Sequence, residues 1–163
     1  MIGIAMNVNI RSVKLVDLPA VLLVESASFP EPWNAKDFRI HLSQRTNFGM
    51  LAEIGKEVVG YIVYRVEGEQ IFVLSMAVMP RHRRNGIGTM LITTILPKMK
   101  NRKKIRAIVS DQILDAHLFL KNLGFKALKV KRNYCGPDHD GYDFVHESER
   151  QEKQTKIKQE VCQ

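Results

Sequence analysis
A chain of 163 residues, 45% hydrophobic and 26% charged, is the size of one compact domain with a real core, and a second full domain does not fit. No run approaches the roughly 18 consecutive apolar residues of a membrane helix, and the opening MIGIAMNVNI lacks a basic start, a long apolar stretch and a cleavage site, so a soluble cytoplasmic protein is expected. The net charge of +8 points to an anionic partner, whether nucleic acid, a ribosome surface or a phosphorylated ligand, although no nucleic-acid-binding motif accompanies it.

Asn9 to Lys14 is a short extended segment. Apolar residues at helical spacing (Leu15, Leu18, Val21, Leu22) predict a helix from Leu15 to Ser28, with Glu25 standing apart from them. Pro30 and Pro32 forbid a helix across Phe29 to Trp33, so FPEPW is a rigid loop; Asn34 then caps a second helix, with Asp37 in its first turn, running to about Gln44. Phe48–Ile54, Glu57–Arg65 and Gln70–Met79, separated by Gly55-Lys56 and Glu67-Gly68-Glu69, read as a three-strand antiparallel meander.

Gly88 to Leu96 is an apolar helix that Pro97 ends or kinks by depriving Thr93 of its hydrogen bond. The cationic stretch Lys98–Lys104 suits a helix end and its turn. Ile105–Val109 reads as a buried strand, and Asp111–Asn122 as a helix with Leu114, Leu118 and Leu120 to Leu123 as apolar faces and Gly124 as its C-terminal cap. Phe125–Lys131 and Tyr142–His146 are the last strands, joined by RNYCGPDHDG. Residues 1–147 are expected to form a single domain, and 148–163, almost devoid of apolar side chains, a charged tail that is frayed or disordered.

The two cysteines, Cys135 and Cys162, lie far apart, so neither a disulfide framework nor a metal spacing is present. His139 and His146 show no ligand spacing, and His41, His82 and His117 are isolated on presumed surfaces, so no metal is expected.

The segment Val73 to Thr89, VLSMAVMPRHRRNGIGT, is a strand, a basic glycine loop and a helix start. Glycines let backbone approach a ligand closely, N–H groups from Arg83 to Thr89 converge, and the helix dipole adds partial positive charge, which together suit a pyrophosphate. The dinucleotide fingerprint GxGxxG is not matched, because Thr89, Met90 and Leu91 follow Gly88. V-x-P-x-x-R-x-x-G-x-G after an apolar strand resembles motif A of the GCN5-related N-acetyltransferases, the GNAT family, and the order of elements from about residue 9 to 146 is similar to that family's. The resemblance implies an α/β fold with a mixed, largely antiparallel sheet of about seven strands, splayed at its centre, and about four helices on both faces. It also implies acetyl-CoA as donor, with Met76, Ala77 and Val78 binding pantetheine and Arg83, Arg84, Asn85, Gly86, Ile87, Gly88 and Thr89 the pyrophosphate.

NIR near the start, FPEPW, and LFLKNLGFKALKVKRNY together resemble the RimI-like protein N-alpha-acetyltransferases. That resemblance implies a protein or peptide N-terminus as acceptor, ribosomal proteins included, a monomer or homodimer, and Phe29, Pro30, Trp33 and Tyr134 beside the peptide. Taken alone, Phe29 and Trp33 suit core or helix-staple positions, so their place beside the peptide rests on the resemblance. The glutamate base and tyrosine acid of RimI-like enzymes fall here on Ile108 and Leu120, and a cofactor-contacting asparagine on Ile113; none can take that part. Glu31 is then the candidate base, by resemblance of FPEPW to LPENY-type loops, and a solvated loop carboxylate is the alternative; Tyr134 either protonates the departing thiolate or hydrogen-bonds the peptide. Two other readings stay open: a small-molecule amine acetyltransferase of the same fold, and a catalytically weak acyl-CoA binding module.

Overall fold
Every residue from Val58 to Tyr64 is buried, which a strand achieves only when both faces are covered, and the run is apolar apart from two tyrosine hydroxyls. The computed structural model describes residues 6–99 and 102–148. Its elements in chain order are β1 (Val8–Ser12), α1 (Leu18–Ser26), α2 (Ala35–Leu42), β2 (Asn47–Ile54), β3 (Glu57–Glu67), β4 (Gln70–Val78), α3 (Ile87–Thr93), β5 (Lys104–Ser110), α4 (Leu114–Asn122), β6 (Lys126–Lys131) and β7 (Gly141–Glu147). The strands are hydrogen-bonded in the order β1-β2-β3-β4-β5-β7-β6. The β4–β5 pair is parallel, while β1–β2, β2–β3, β5–β7 and β6–β7 are antiparallel. Among the described residues no helix is long and apolar enough to cross a membrane.

Two compact units divide the chain, one of the described residues up to Arg65 with Leu74–Pro97, the other of Val66–Val73 with the described residues from Lys98. In the first, α1 and α2 lie on one sheet face, where Leu18, Val21, Val24, Phe38, Leu51, Val58, Tyr61, Val63 and Ala77 form the core. α3 packs on the opposite face, where Gly60 makes room for it: a Cβ there would stand 3.3 Å from Leu91 Cδ1 and 3.1 Å from the Ala77 carbonyl oxygen. α2 starts as its sequence predicts, with Asn34 Oδ1 accepting from the N–H of Lys36 (2.8 Å) and Asp37 (3.1 Å) and Asp37 returning a bond to Asn34 N (2.9 Å).

The first helix starts later than the spacing of Leu15 suggests. Leu15–Asp17 is a 3₁₀ turn, because Pro19 has no N–H to give the Leu15 carbonyl and Leu18 N–H takes that place; Leu15 and Val16 stay exposed. Arg11 grips Asp17 with both terminal nitrogens (2.8 and 2.9 Å) and reaches Glu53 from Nε (3.1 Å). The helix after the glycines is also shorter than expected, Ile87–Thr93, with Leu96–Met99 in a 3₁₀ turn around Pro97.

In the second unit Ile71, Ile105, Ala107, Leu120, Phe125, Phe144 and Val145 are buried. The carboxylate of Asp143, 1% exposed, is bonded by Arg106, whose Nη1 also reaches Gln70 Oε1 at 3.3 Å. α4 begins at Leu114 rather than Asp111, since Asp111 N bonds the Asp140 carbonyl (2.9 Å) and Ile113 N the Ser110 carbonyl (3.1 Å) as a turn. It ends at Gly124, whose φ of +86° lets Phe125 N reach Leu120 O and Gly124 N reach Lys121 O, both at 3.0 Å. Of the leucines expected to face a core, Leu120 does, whereas Leu114 and Leu118 are exposed. The expected tail lies outside the described residues beyond Ser148.

Candidate active site
The ladder between β4 and β5 covers Gln70–Val73 and ends there, while β4 runs on to Val78. Among the described residues the edge of β4 away from β3 therefore has no ladder partner from Leu74 onward, and it is here that Met76, Ala77 and Val78 stand. The side chain of Ala77 belongs to the core, so what this residue can offer a ligand is backbone. Met79 N fastens the strand's end to the Val59 carbonyl at 2.8 Å.

Beyond β4 the chain turns through Pro80–His82 and then takes two left-handed residues, Arg84 (φ +60°) and Gly86 (φ +78°). Gly86 accepts this conformation without strain; Arg84 does not, and such strain persists where surrounding structure over-determines it. The first helical bond of α3 runs from Met90 N to Gly86 O at 3.0 Å, so the N–H groups of Ile87, Gly88 and Thr89 have no acceptor within α3. Nothing lies within 4 Å of a Cβ built on Gly86. Unsatisfied donors at a helix start beside open space fit the pyrophosphate of coenzyme A. The side chain of Ile87, 1% exposed, anchors that start in the core.

The polar side chains of the loop brace it. Arg83 donates from Nε to the Val78 carbonyl (2.9 Å) and from Nη2 to Ser28 Oγ (3.3 Å), and Asn85 Nδ2 donates to the His82 carbonyl (3.3 Å). Glu57 takes an ion pair from Arg81 and lies 3.5 Å from His82 Nε2. Arg84 and Thr89 are exposed.

FPEPW belongs to the same unit. Phe29 is partly buried and packs against the core, as does Trp33, whose ring stacks on His41 (centroids 4.2 Å, planes 10° apart) and meets Phe38 edge-on at 5.3 Å. His41 is thus a packing partner of Trp33 rather than isolated. Pro30 and Glu31 are exposed.

Sequence reasoning missed what lies beneath this loop. Glu25, 2% exposed, accepts from Trp33 N at Oε1 (2.8 Å) and from the Tyr61 hydroxyl at Oε2, and the same hydroxyl shares a 2.7 Å hydrogen bond with Ser75 Oγ. Burial, then the bond to Glu25, pushes the Tyr61 hydroxyl far above the ordinary tyrosine range. The available signal was the position of Glu25 four residues after Val21 and seven after Leu18, on the buried stripe of α1.

Tyr134 lies in the second unit, 57% exposed, with the Lys131 ammonium 4.7 Å from its ring centroid. It rests on Gly141, where a Cβ would come within 3.1 Å of Tyr134 Cδ1 and 2.7 Å of Ile108 Cγ2. Ile108 is half-buried and Leu120 buried. Desolvation, with the charges of Asp111 and Asp140, raises the Cys135 thiol, which keeps it protonated and a poor nucleophile. His117 is half-buried rather than isolated on a surface as its sequence context suggests; it bonds the Ser110 carbonyl (2.8 Å) and packs on Tyr142 and Phe144. Among the described residues no three His, Cys, Asp or Glu side chains gather as a metal site.

The acetyltransferase (GNAT) family model matches residues 18–125, a span that draws on both units. An N-alpha-acetyltransferase of Sulfurisphaera tokodaii is 31% identical over 149 residues, covering 82% of this chain and 89% of that protein. The ribosomal protein bS18 alanine N-acetyltransferase of Escherichia coli is 25% identical over 135 residues, covering 82% and 90%. The crystal structure of Ard1 from Thermoplasma volcanium superposes with a TM-score of 0.79 at 23% identity over 86% of this chain and 97% of that one, a likeness of fold.

Proposed function
The chain belongs to the acetyltransferase (GNAT) family and is an acetyl-CoA-dependent N-acetyltransferase; from this we propose that its acceptor is the α-amine of a protein or peptide N-terminus, ribosomal proteins among them, in the cytoplasm. The observation that carries this reading is the bridge made by Arg83, which joins the end of β4 to Ser28, the residue before FPEPW. The phosphate loop and the loop assigned to the acceptor are thereby built into one unit. The S. tokodaii relative, named an N-alpha-acetyltransferase, and the E. coli relative, named a ribosomal protein bS18 alanine N-acetyltransferase, support the same acceptor class.

Acetyl-CoA supplies an activated thioester that a neutral amine can attack directly, so no covalent enzyme nucleophile is needed. An α-amine with a reference pKa of about 7.7–8.0 is roughly one-tenth neutral near pH 7, whereas a lysine amine at about 10.4 is almost wholly protonated. A modest base therefore suffices for an N-terminus. We assign that part to Glu31, whose exposure lets the proton pass on to water. Tyr134 contacts the peptide, Phe29, Pro30 and Trp33 flank it, Met76, Ala77 and Val78 take the pantetheine arm through backbone groups, and Arg83 to Thr89 take the pyrophosphate. Residues 1–147 act as one domain.

The experiment is acetyl transfer from acetyl-CoA to paired peptides, one with a free N-terminus and no lysine, the other N-terminally blocked with an internal lysine, read by mass. Acetylation of the first alone is expected. Acetylation of only the second, or only of a polyamine or amino sugar, overturns the acceptor assignment.

A further inference from the structure
We infer that Glu25 is a positioning residue for the acceptor, clamping both ends of the FPEPW loop; this rests on the reading that FPEPW flanks the acceptor amine. The clamp uses two parts of one residue. The main-chain carbonyl of Glu25 accepts from Phe29 N at 3.1 Å, and its carboxylate accepts from Trp33 N at 2.8 Å. Between these two points Pro30 and Pro32 have no N–H, so Trp33 N is one of the few handles by which the loop can be fastened. Glu31, the assigned base, sits midway between the clamped ends.

A carboxylate at 2% exposure loses nearly all its hydration, and only strong partners offset that loss. Its second oxygen has one in the Tyr61 hydroxyl of β3, which in turn bonds Ser75 Oγ of β4 at 2.7 Å. Ser75 immediately precedes Met76, the first residue assigned to the pantetheine arm. The loop is thus tied through Glu25 and Tyr61 to the strand that presents the acetyl group, and its position is set by a chain of directed bonds rather than by apolar contact alone. No other part of the proposed reaction uses Glu25.

The test exploits Trp33 as the chain's single tryptophan, whose fluorescence reports the loop. Glu25→Gln keeps an oxygen for Trp33 N and gives Tyr61 an N–H to accept, so peptide KM and acrylamide quenching should stay within about twofold of wild type. Glu25→Leu removes both side-chain bonds, those from Trp33 N and the Tyr61 hydroxyl, and leaves the main-chain bond from Phe29 N: peptide KM should rise about tenfold and quenching about twofold, with the KM for acetyl-CoA unchanged. Tyr61→Phe removes one of the two side-chain partners, so it should give an intermediate rise in quenching, and it serves if Glu25→Leu does not fold. Wild-type quenching in Glu25→Leu and Tyr61→Phe, an equal rise in both KM values, or Glu25→Gln as impaired as Glu25→Leu each overturns the clamp. A wild-type enzyme that acetylates no peptide N-terminus sinks the acceptor reading by itself, and quenching still decides the clamp.

Discussion

The Nε of Arg83 donates to the carbonyl of Val78 at 2.9 Å, so the arginine of the phosphate loop is also the residue that pins the end of the strand assigned to pantetheine. Its Nη2 reaches Ser28 Oγ at 3.3 Å. A planar guanidinium serves two acceptors in different directions; a lysine ammonium does so poorly. Arg83→Ala should raise the KM for acetyl-CoA about tenfold, the scale of losing charge-assisted hydrogen bonds, and Arg83→Lys should recover only part. Initial rates with both substrates varied provide the check, and an unchanged acetyl-CoA KM in Arg83→Ala would contradict this placement.

Gly60 sets how closely α3 sits on the sheet. A Cβ would lie 3.1 Å from a backbone oxygen and 3.3 Å from Leu91 Cδ1, and the backbone oxygen cannot yield as a flexible side chain can. Gly60→Val should destabilise the fold by about 1–3 kcal/mol through overpacking. Because Leu91 lies on the helix whose first N–H groups are assigned above to phosphate, the same substitution should also weaken acetyl-CoA binding. Thermal unfolding and a coenzyme A titration measure the two effects.

What could be read from the sequence was what depends on near neighbours. The Asn34 cap, the Gly124 stop and the Gly86 turn are each decided within a few residues, and each stands where its motif predicts. Leu114 and Leu118 show the limit: periodicity says which residues share a helix stripe, and packing alone decides which stripe is covered. Glu25 shows it more sharply. Its partner Tyr61 is 36 residues away on another element, so a carboxylate on an apolar stripe reads as an exception until the fold brings the hydroxyl to it. The contact of Tyr134 and Ile108 over Gly141 is hidden for the same reason.

The Arg11–Asp17 pair predicts an acid limb of stability. The hydrogen bonds from Arg11, chiefly, hold the Asp17 carboxyl down to about 2, against the opposing effect of burial. An unfolded aspartate titrates near 3.9, so the folded state gains stability from this group above about pH 4 and loses it as pH falls toward 2. Asp17→Asn keeps an oxygen for the 2.7 Å bond from Lys14 N but carries no charge. Its Tm should fall below wild type at neutral pH, and the gap should close toward pH 2. A gap that does not change across that range would mean the charge contributes nothing.

Glu31 and Tyr134 can be separated by how their loss depends on pH. A base is useful only to the protonated fraction of the acceptor amine, and that fraction shrinks as pH rises through about 7.7–8.0. Glu31→Gln should therefore lower kcat/KM on a good peptide by about 10- to 100-fold near pH 7 and progressively less at alkaline pH. Tyr134, proposed to contact the peptide rather than to move the amine's proton, should behave differently: Tyr134→Phe should raise peptide KM about threefold, the scale of one neutral hydrogen bond, with kcat and its pH dependence unaltered. If Tyr134→Phe instead lowers kcat with peptide KM unchanged, the hydroxyl is acting on the departing thiolate. If both variants match wild type across pH, proton removal is left to water, and the phosphate loop and β4 edge would carry catalysis by binding and orientation.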